Sequence, residues 1–415
     1  MKGSLRNWTI ALVAILLWVF ASPAGAGTTK SINLAMLAGF KEDVLRAFLP
    51  AFEERTGIKV NLDTAPYGDL YKKQLLSLAG GAGRYDVLFI DEPWVPTLAE
   101  FLRPLDDLAK QVDPSDFVPT TLAAGSYKGK IYALPVDPNV QILVYRKDLF
   151  DQRGLKPPGT WAELLAIAKQ LHDPSKDFAG FVMTAGSDVQ TFAYLTLFLW
   201  SWGVELLDAN NRAAVNTPAG KAAAEFYLEL LKYSPPGVKG YTFADVTKTM
   251  QLGKAAMAVQ WASGAKPMED KEKSVVAGKL GYATVPKQAR QTPIRGVWTI
   301  GVAKDSKNPD AAWEFAKWLA SREFGLLAVK YPSTSSAIHN ARYSVLKSPT
   351  FTGTLPYAEA ILTSLEVAKE RNRIPQFPDI QEQLRLTGAK ITTGELSSAD
   401  GLRELEASIN RIMAK

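Results

Sequence analysis

Beyond Lys30 the chain switches repeatedly between two hydrophobic periods. SINLAML (31–37) reads as a strand, and KEDVLRAFLPAFEERTG (41–57) sets Val44, Leu45, Phe48, Ala51 and Phe52 at helical spacing. Gly57 stands where that helix should stop. IKVNLDTA (58–65) alternates as a strand, DLYKKQLLSLAGG (69–81) repeats as a helix, and YDVLFID (85–91) reads as a buried strand. A βαβαβ order predicts parallel strands joined by helical crossovers. Ligands of open α/β sheets bind beyond the C-terminal ends of the strands. The residues just past these strands are therefore site candidates: Phe40, Lys41, Tyr67, and Asp91-Glu92-Pro93-Trp94.

The middle of the chain is mostly helical. TWAELLAIAKQLHD (160–173) opens with Thr160 and Glu163, the spacing of a capping box. TFAYLTLFLWSWG (191–203) is apolar almost all round and predicts a buried helix, whereas TPAGKAAAEFYLELLKYS (217–234) is amphipathic. A helix from Phe243 runs into the strand AAMAVQW (255–261), and GYATVP (281–286) and GVWTIGVA (296–303) read as further strands. The stretch 308–329 reads as one helix with Asn308-Pro309 at its start, and its Trp313 and Trp318 are assigned to packing. GSYKGK (125–130) precedes the strand IYALPV (131–136) and reads as a hairpin-like turn. Asp137-Pro138-Asn139 then places polar groups in a chain-breaking context before the apolar run Gln141 to Tyr145. From Leu355 onward the pattern is again helical. Two α/β lobes, with the chain crossing between them more than once, fit this distribution.

Composition narrows the function classes. With 415 residues, 47% of them apolar and 22% charged, the chain can form two domains with sizeable cores. The formal charge of +6 is spread through alternating Lys, Arg, Asp and Glu, with no basic run suited to nucleic acid. No cysteine is present, which excludes disulfides, thiolate nucleophiles, Cys-ligated metals and a lipid-modified N-terminal Cys. His172 and His339 are far apart in sequence and read as isolated surface residues, so neither a metal site nor a cofactor is expected. At the start, Lys2 and Arg6 precede the apolar WTIALVAILLWVFA and the small-residue pattern Ala24-Gly25-Ala26. This is the pattern of a secretory signal peptide spanning residues 1–26, with cleavage expected after Ala26 and a periplasmic destination. Its apolar stretch is shorter than the roughly 20 residues a membrane span requires.

No phosphate-binding Gly-x-x-x-x-Gly-Lys-Ser/Thr loop, dinucleotide fingerprint or Gly-x-Ser-x-Gly elbow occurs. What remains is aromatic and carboxylate content. Of ten Trp, three stand beside loop signals: Trp94 after Asp91-Glu92-Pro93, Trp261 before Ser263-Gly264, and Trp298 after Arg295-Gly296. Aromatic planes pack on the C–H faces of sugar rings, and a few convergent polar groups pair with their hydroxyls. A rival reading makes Asp91 and Asp137 the general acid and the nucleophile or base of a secreted glycoside hydrolase, a case that carboxylate separation and environment decide.

Six segments in order resemble the extracellular solute-binding proteins of carbohydrate ABC importers, the family of maltose-binding protein. They are AFEERTGIKV, YDVLFIDEPWVPTLAEFLRPLDDL, GKIYALPVDPNVQILVYRKDLFDQRGLKPPGTWAELLAIAKQL, GKAAMAVQW, GVWTIGVAKDSKNPDAAWEFAKWLAS and ARYSVLKSPT. YGDLYKKQLLSLAGGAGRYDV is similar to the polyol and small-sugar binders of that family. The resemblance implies an α/β, two-lobed periplasmic-binding-protein fold with a ligand cleft between lobes joined by a multi-crossing hinge. Residues 27–137 plus about 290–343 would form the N-terminal lobe, and about 138–289 plus 344–415 the C-terminal lobe.

The resemblance also implies partners and a site. The ligand would be a small carbohydrate, and the partners the permease subunits of an ABC importer with its ATP-binding subunit. A monomer without catalytic activity, cofactor or nucleic acid is expected. Asp137 and Asn139 would lie at the hinge. Phe40, Lys41, Tyr67, Asp91, Glu92 and Trp94 would form one wall, and Trp261, Arg295 and Trp298 would come from later loops, with Arg373 of RNRIPQF from the C-terminal part. Two departures stand out. Arg295-Gly296 replaces two glycines common in relatives, so Arg295 either reaches the pocket, favouring an acidic ligand, or turns outward. The Glu92-Pro93 pair leaves the role of Glu92 open.

Overall fold

The computed structural model describes residues 30–81, 83–331 and 338–414. The signal segment read in residues 1–26 lies outside them. The predicted βαβαβ unit forms: β1 (Ser31–Leu37), α1 (Phe40–Thr56), β2 (Lys59–Ala65), α2 (Tyr67–Ala79) and β3 (Val87–Asp91), with β1 parallel to both β2 and β3. Gly57 ends α1 in the left-handed conformation at φ 69°, where a Cβ would be strained. The Gly- and Lys-rich stretch is a hairpin of β4 (Ser126–Tyr127) and β5 (Lys130–Ile131).

β6 (Ala133–Arg146) departs from the sequence expectation. It runs unbroken for 14 residues through Asp137-Pro138-Asn139. Its first half, to Val140, pairs antiparallel with β9 (Arg295–Val302), with an irregularity between Pro135 and Asp137. Its second half pairs antiparallel with β7 (Met257–Trp261) and β8 (Leu280–Ala283). Pro135 and Pro138 fall where only β9 flanks the strand, so their missing N–H groups need break no ladder on the open side. The main sheet therefore runs β2-β1-β3-β9-β6-β7, with β8 also on β6.

The helices follow the pattern with one correction. Thr160 and Glu163 close the capping box before helix Trp161–Leu171, and helix Thr191–Ser201 is buried on all sides. The stretch read as one helix at 308–329 is two, Pro309–Leu319 and Arg322–Lys330. Ser321 interrupts it because its hydroxyl accepts the Phe324 N–H at 3.1 Å, an N-cap that competes with helix continuation.

Three apolar clusters hold the molecule. One packs the β1–β3 and β9 residues Leu34, Phe89 and Ile300 against α1 and helix Pro309–Leu319. The other two cover opposite faces of β6 and β7. Leu143, Met257 and Val259 face Trp161, Phe198 and Tyr227, while Ile142, Val144 and Ala258 face Val246, Met250 and Tyr357. That division is the two-residue period of a strand buried on both sides.

Trp313 tests the first cluster. It is buried at 7% exposure and its indole N–H reaches Gln111 Oε1 at 3.1 Å. Trp313→Ala should cost about 3–5 kcal/mol of folding stability. Urea denaturation should show a lower midpoint at unchanged slope; a loss below about 1 kcal/mol would contradict the packing assignment.

Candidate functional site

A cavity of about 460 Å³ opens where β1, β2 and β3 end. Its near wall is the chain just past those strands: Leu37, Ala38, Gly39 and Lys41, then Pro66 and Tyr67, then Asp91. Asn139 of β6 and Gly296 and Trp298 of β9 form the base. The far wall carries Asp188, Val189, Gln190, Phe192, Thr242, Phe243, Ala244, Trp261 and Ser263, and Arg371 enters from the C-terminal segment. Gly39, at φ 94°, makes the turn from β1 into α1. Gly296 permits a close approach, since a Cβ there would stand 3.0 Å from the Trp261 ring.

Two ion pairs fix the near wall. The Lys41 ammonium is bonded to Asp137 Oδ2, while Asp137 Oδ1 accepts the His339 backbone N–H at 3.0 Å and lies 3.1 Å from His339 Nδ1. Asp137 is fully buried behind Lys41. Burial alone would raise its carboxyl, but the Lys41 charge and the His339 hydrogen bond prevail and hold it well below the usual carboxylate range. Arg371 grips Asp91 with both terminal nitrogens, at 2.7 and 2.5 Å. The same carboxylate accepts the Tyr67 hydroxyl at 2.7 Å, and Gln381 Nε2 donates back to that hydroxyl at 3.1 Å. Burial and the Asp91 charge push the Tyr67 hydroxyl far up, so it stays a donor.

Below this layer, Glu92 lies between Arg295 Nε and Arg371 Nε, 3.6 Å from each, and Arg295 Nη2 donates to Glu370 at 2.7 Å. Burial pushes the Glu92 carboxyl up, against the pull of the two arginines. The aromatic part is equally fixed. Trp298 stacks on Phe89 at 4.9 Å and meets Trp94 and Tyr67 edge-on at 5.7 and 6.0 Å. Across the cavity, the Trp261 indole N–H donates to Gln190 Oε1 at 2.7 Å. Asn139 and Ser263 bond reciprocally, both at 3.1 Å, tying β6 to the loop after β7.

Of the residues named from sequence, Lys41, Tyr67, Asp91, Asn139, Trp261 and Trp298 line the cavity. Phe40 opens α1 directly after Gly39. Asp137, Glu92, Trp94 and Arg295 are buried behind the lining, and Arg373 is half-buried outside it. Arg295 neither reaches the pocket nor turns outward, because Glu92 and Glu370 hold it. His339 is not a surface residue: it is fully buried against Asp137. Sequence reasoning chose Arg373 of RNRIPQF where Arg371, two residues earlier, makes the contact. It also missed Asp188, Gln190 and Thr242. The one available signal was Thr242 with Asp245, a capping-box spacing that marks a helix end. Among the described residues, no cluster of three His, Asp or Glu could hold a metal.

Comparison with known proteins gives a consistent picture. The model of the family described as "Bacterial extracellular solute-binding protein" matches residues 38–324. A protein of Sinorhizobium fredii, named a probable amino-acid ABC transporter periplasmic-binding protein, is 25% identical over 98% of each chain. The mannitol-binding protein of Pseudomonas aeruginosa is 26% identical over 83% of this chain and 84% of its own. A solute-binding protein of an ABC transporter from Agrobacterium radiobacter, solved with ribitol, superposes with a TM-score of 0.85 at 27% identity, covering 92% of this chain and 98% of that one.

The Asp137 pair predicts an acid dependence. A carboxyl whose folded pKa lies below its unfolded value, about 3.9, stabilises the fold above that value and loses the contribution as pH falls towards the folded one. Asp137→Asn leaves Lys41 without its partner and should cost about 3–5 kcal/mol at pH 6. In urea unfolding at pH 6, 4 and 3, the gap between parent and variant should narrow below about pH 4. A gap that stays constant to pH 3 would refute the assignment.

Proposed function

We propose that this chain, which belongs to the bacterial extracellular solute-binding protein family, captures a small sugar or polyol outside the cytoplasmic membrane and delivers it to the permease subunits of an ABC importer. The observation that carries the reading is the character of the cavity. It is walled by Trp261, Trp298 and Phe192, and both of its cationic side chains are already engaged, Lys41 by Asp137 and Arg371 by Asp91. Aromatic faces suit the C–H surfaces of a carbohydrate, and the Lys41 and Asn139 head groups suit its hydroxyls. The relatives named for mannitol and ribitol support the same class.

Two other ligands or activities fit less well. A free amino acid brings a carboxylate that an unpaired cation would favour, and neither cavity cation is unpaired. A hydrolase needs two carboxylates facing the scissile bond. Here Asp91 is clamped by Arg371, and Asp137 lies behind Lys41 rather than at the cavity surface.

The lobes in this reading are 27–137 with about 290–343, and about 138–289 with 344–415, closing on the ligand about β6 and β9. Lys41, Tyr67, Asp91, Asn139, Trp261 and Trp298 contact the ligand, while Asp137, Glu92, Trp94 and Arg295 hold them in place. The exported form begins after Ala26 and acts as a monomer.

Thermal-shift measurements on the form starting at residue 27, with D-mannitol, ribitol, D-tagatose, maltose and a set of L-amino acids, test this. A ligand at a hundred times its Kd adds about 2.7 kcal/mol of stability, enough for a clear rise in midpoint. Trp261→Ala should weaken the carbohydrate found by about 1–3 kcal/mol in calorimetric titration. A rise with amino acids and with no sugar or polyol, or steady release of product from a bound glycoside, would sink the proposal.

A further inference from the structure

Of the charged side chains that line the cavity, Lys41, Asp91 and Arg371 each have an ion-pair partner, and Asp188 has none among the described residues. Lys41 is matched by Asp137, and Arg371 by Asp91. Below them Arg295 is shared between Glu92 and Glu370. Asp188, on the far wall, is different. Its carboxylate receives backbone N–H groups of Val189 and Gln190, the latter at 2.8 Å, and no ammonium or guanidinium group among the described residues forms an ion pair with it.

The charged groups around it do not supply one. Arg385, whose charge pulls the Asp188 carboxyl down, is itself engaged, holding Glu382 at 2.6 Å and the Ser187 carbonyl at 2.8 Å. Asp245 adds a second negative charge on the same side, where it caps the helix that starts at Phe243. Burial, with Asp245 adding to it, pushes the Asp188 carboxyl up, as a carboxylate short of compensation should be. Asp188 nevertheless lines the cavity beside Gln190, whose amide oxygen is held by the Trp261 indole.

We propose that Asp188 is the charge-selecting residue of the cleft: it accepts hydrogen bonds from the ligand, prefers an amino-substituted polyol or sugar to its neutral parent, and excludes the corresponding sugar acid. The inference rests on the carbohydrate reading above and names a class within it. An ammonium placed at Asp188 would give a partner to the one charged lining residue that has no ion pair among the described residues. A ligand carboxylate would face Asp188 and Asp245 and find no unpaired cation on the opposite wall.

Asp188→Asn isolates the charge. Asp188 also bonds the chain turning into helix Thr191–Ser201, and Asn serves such helix-start positions as well as Asp does. The melting midpoint of the variant should therefore change little. Calorimetric titration of parent and variant would use two matched sets. The first is D-glucitol, its 1-, 2- and 6-amino-deoxy derivatives, and D-gluconate. The second is D-glucose, D-glucosamine and D-glucuronate.

In the parent, at least one amine should bind about 10- to 100-fold tighter than its neutral counterpart, the range of a hydrogen bond between charged groups, and the acids at least about 10-fold weaker. In Asp188→Asn the amine advantage should shrink to within about threefold and the acids should gain. An acid that binds the parent as well as the neutral compound does, or an amine advantage that survives in the variant, overturns the inference. Neutral probes that bind with no amine advantage overturn it while leaving the carbohydrate reading intact. Binding of amino acids by a protein that takes none of these probes overturns both.

Discussion

Charge cannot be buried unpaired, and the cleft is organised around that constraint. Removing a carboxylate or an ammonium from water costs several kcal/mol unless a partner and further hydrogen bonds replace the lost hydration. Asp137, Glu92 and Asp91 are all almost fully buried beneath or beside the cavity, and each has a cation in reach. These pairs join parts of the chain that are remote in sequence. Arg371 meets Asp91 across 280 positions, and His339 meets Asp137 across 202. A network of this kind is weak evidence for stability in itself. Its effect here is positional, because it fixes the Tyr67 ring and sets where Lys41 and Arg371 present their remaining donors.

The aromatic wall depends on the same scaffold. Trp298 is registered opposite Asp91 on one neighbouring strand and opposite Asp137 on the other, so the two paired carboxylates and the indole form one row across the sheet. Stacking on Phe89 from below and edge contact with Trp94 and Tyr67 leave the Trp298 ring a single orientation. A rigid aromatic face offers contact area to a ligand with little side-chain entropy left to lose on binding. Trp261 reaches the same state by other means, with its N–H held by Gln190 and its ring lying over the bare backbone of Gly296.

How much of this was legible in the sequence varies with distance along the chain. The βαβαβ unit was readable because each strand and helix carries its own period, and the rule about strand ends then led to Lys41, Tyr67 and Asp91. Asp137-Pro138-Asn139 misled as a chain break. A proline interrupts a strand only where its N–H is needed, and the one-sided pairing of β6 there depends on a strand more than 150 residues later. Arg371 and Arg373 are equivalent to any local pattern, and only the position of Asp91 separates them. Asp188 and Gln190 lie in no periodic segment, so nothing local marked them. His339 failed for the opposite reason: an isolated histidine is usually exposed, but this one completes a group of three whose other members are at 41 and 137.

The distribution of apolar and polar contacts also says where relative motion would be cheapest. The cluster on β1–β3 and the two clusters on β6 and β7 are built from separate residues, each close-packed and therefore stiff. Between them run β6, β9 and a polar layer that is less tightly engaged. Glu92 lies 3.6 Å from both Arg295 Nε and Arg371 Nε, and Glu92 Oε1 and both Nε atoms lack a protein hydrogen bond. Rotating one half against the other would leave the packed clusters intact. It would instead exchange such loose polar contacts, which in the presence of water and ligand hydroxyls have alternatives of similar energy. A cavity whose cations and rings are held in place, above polar groups that are incompletely satisfied, is the arrangement that the proposed closure around a ligand would use.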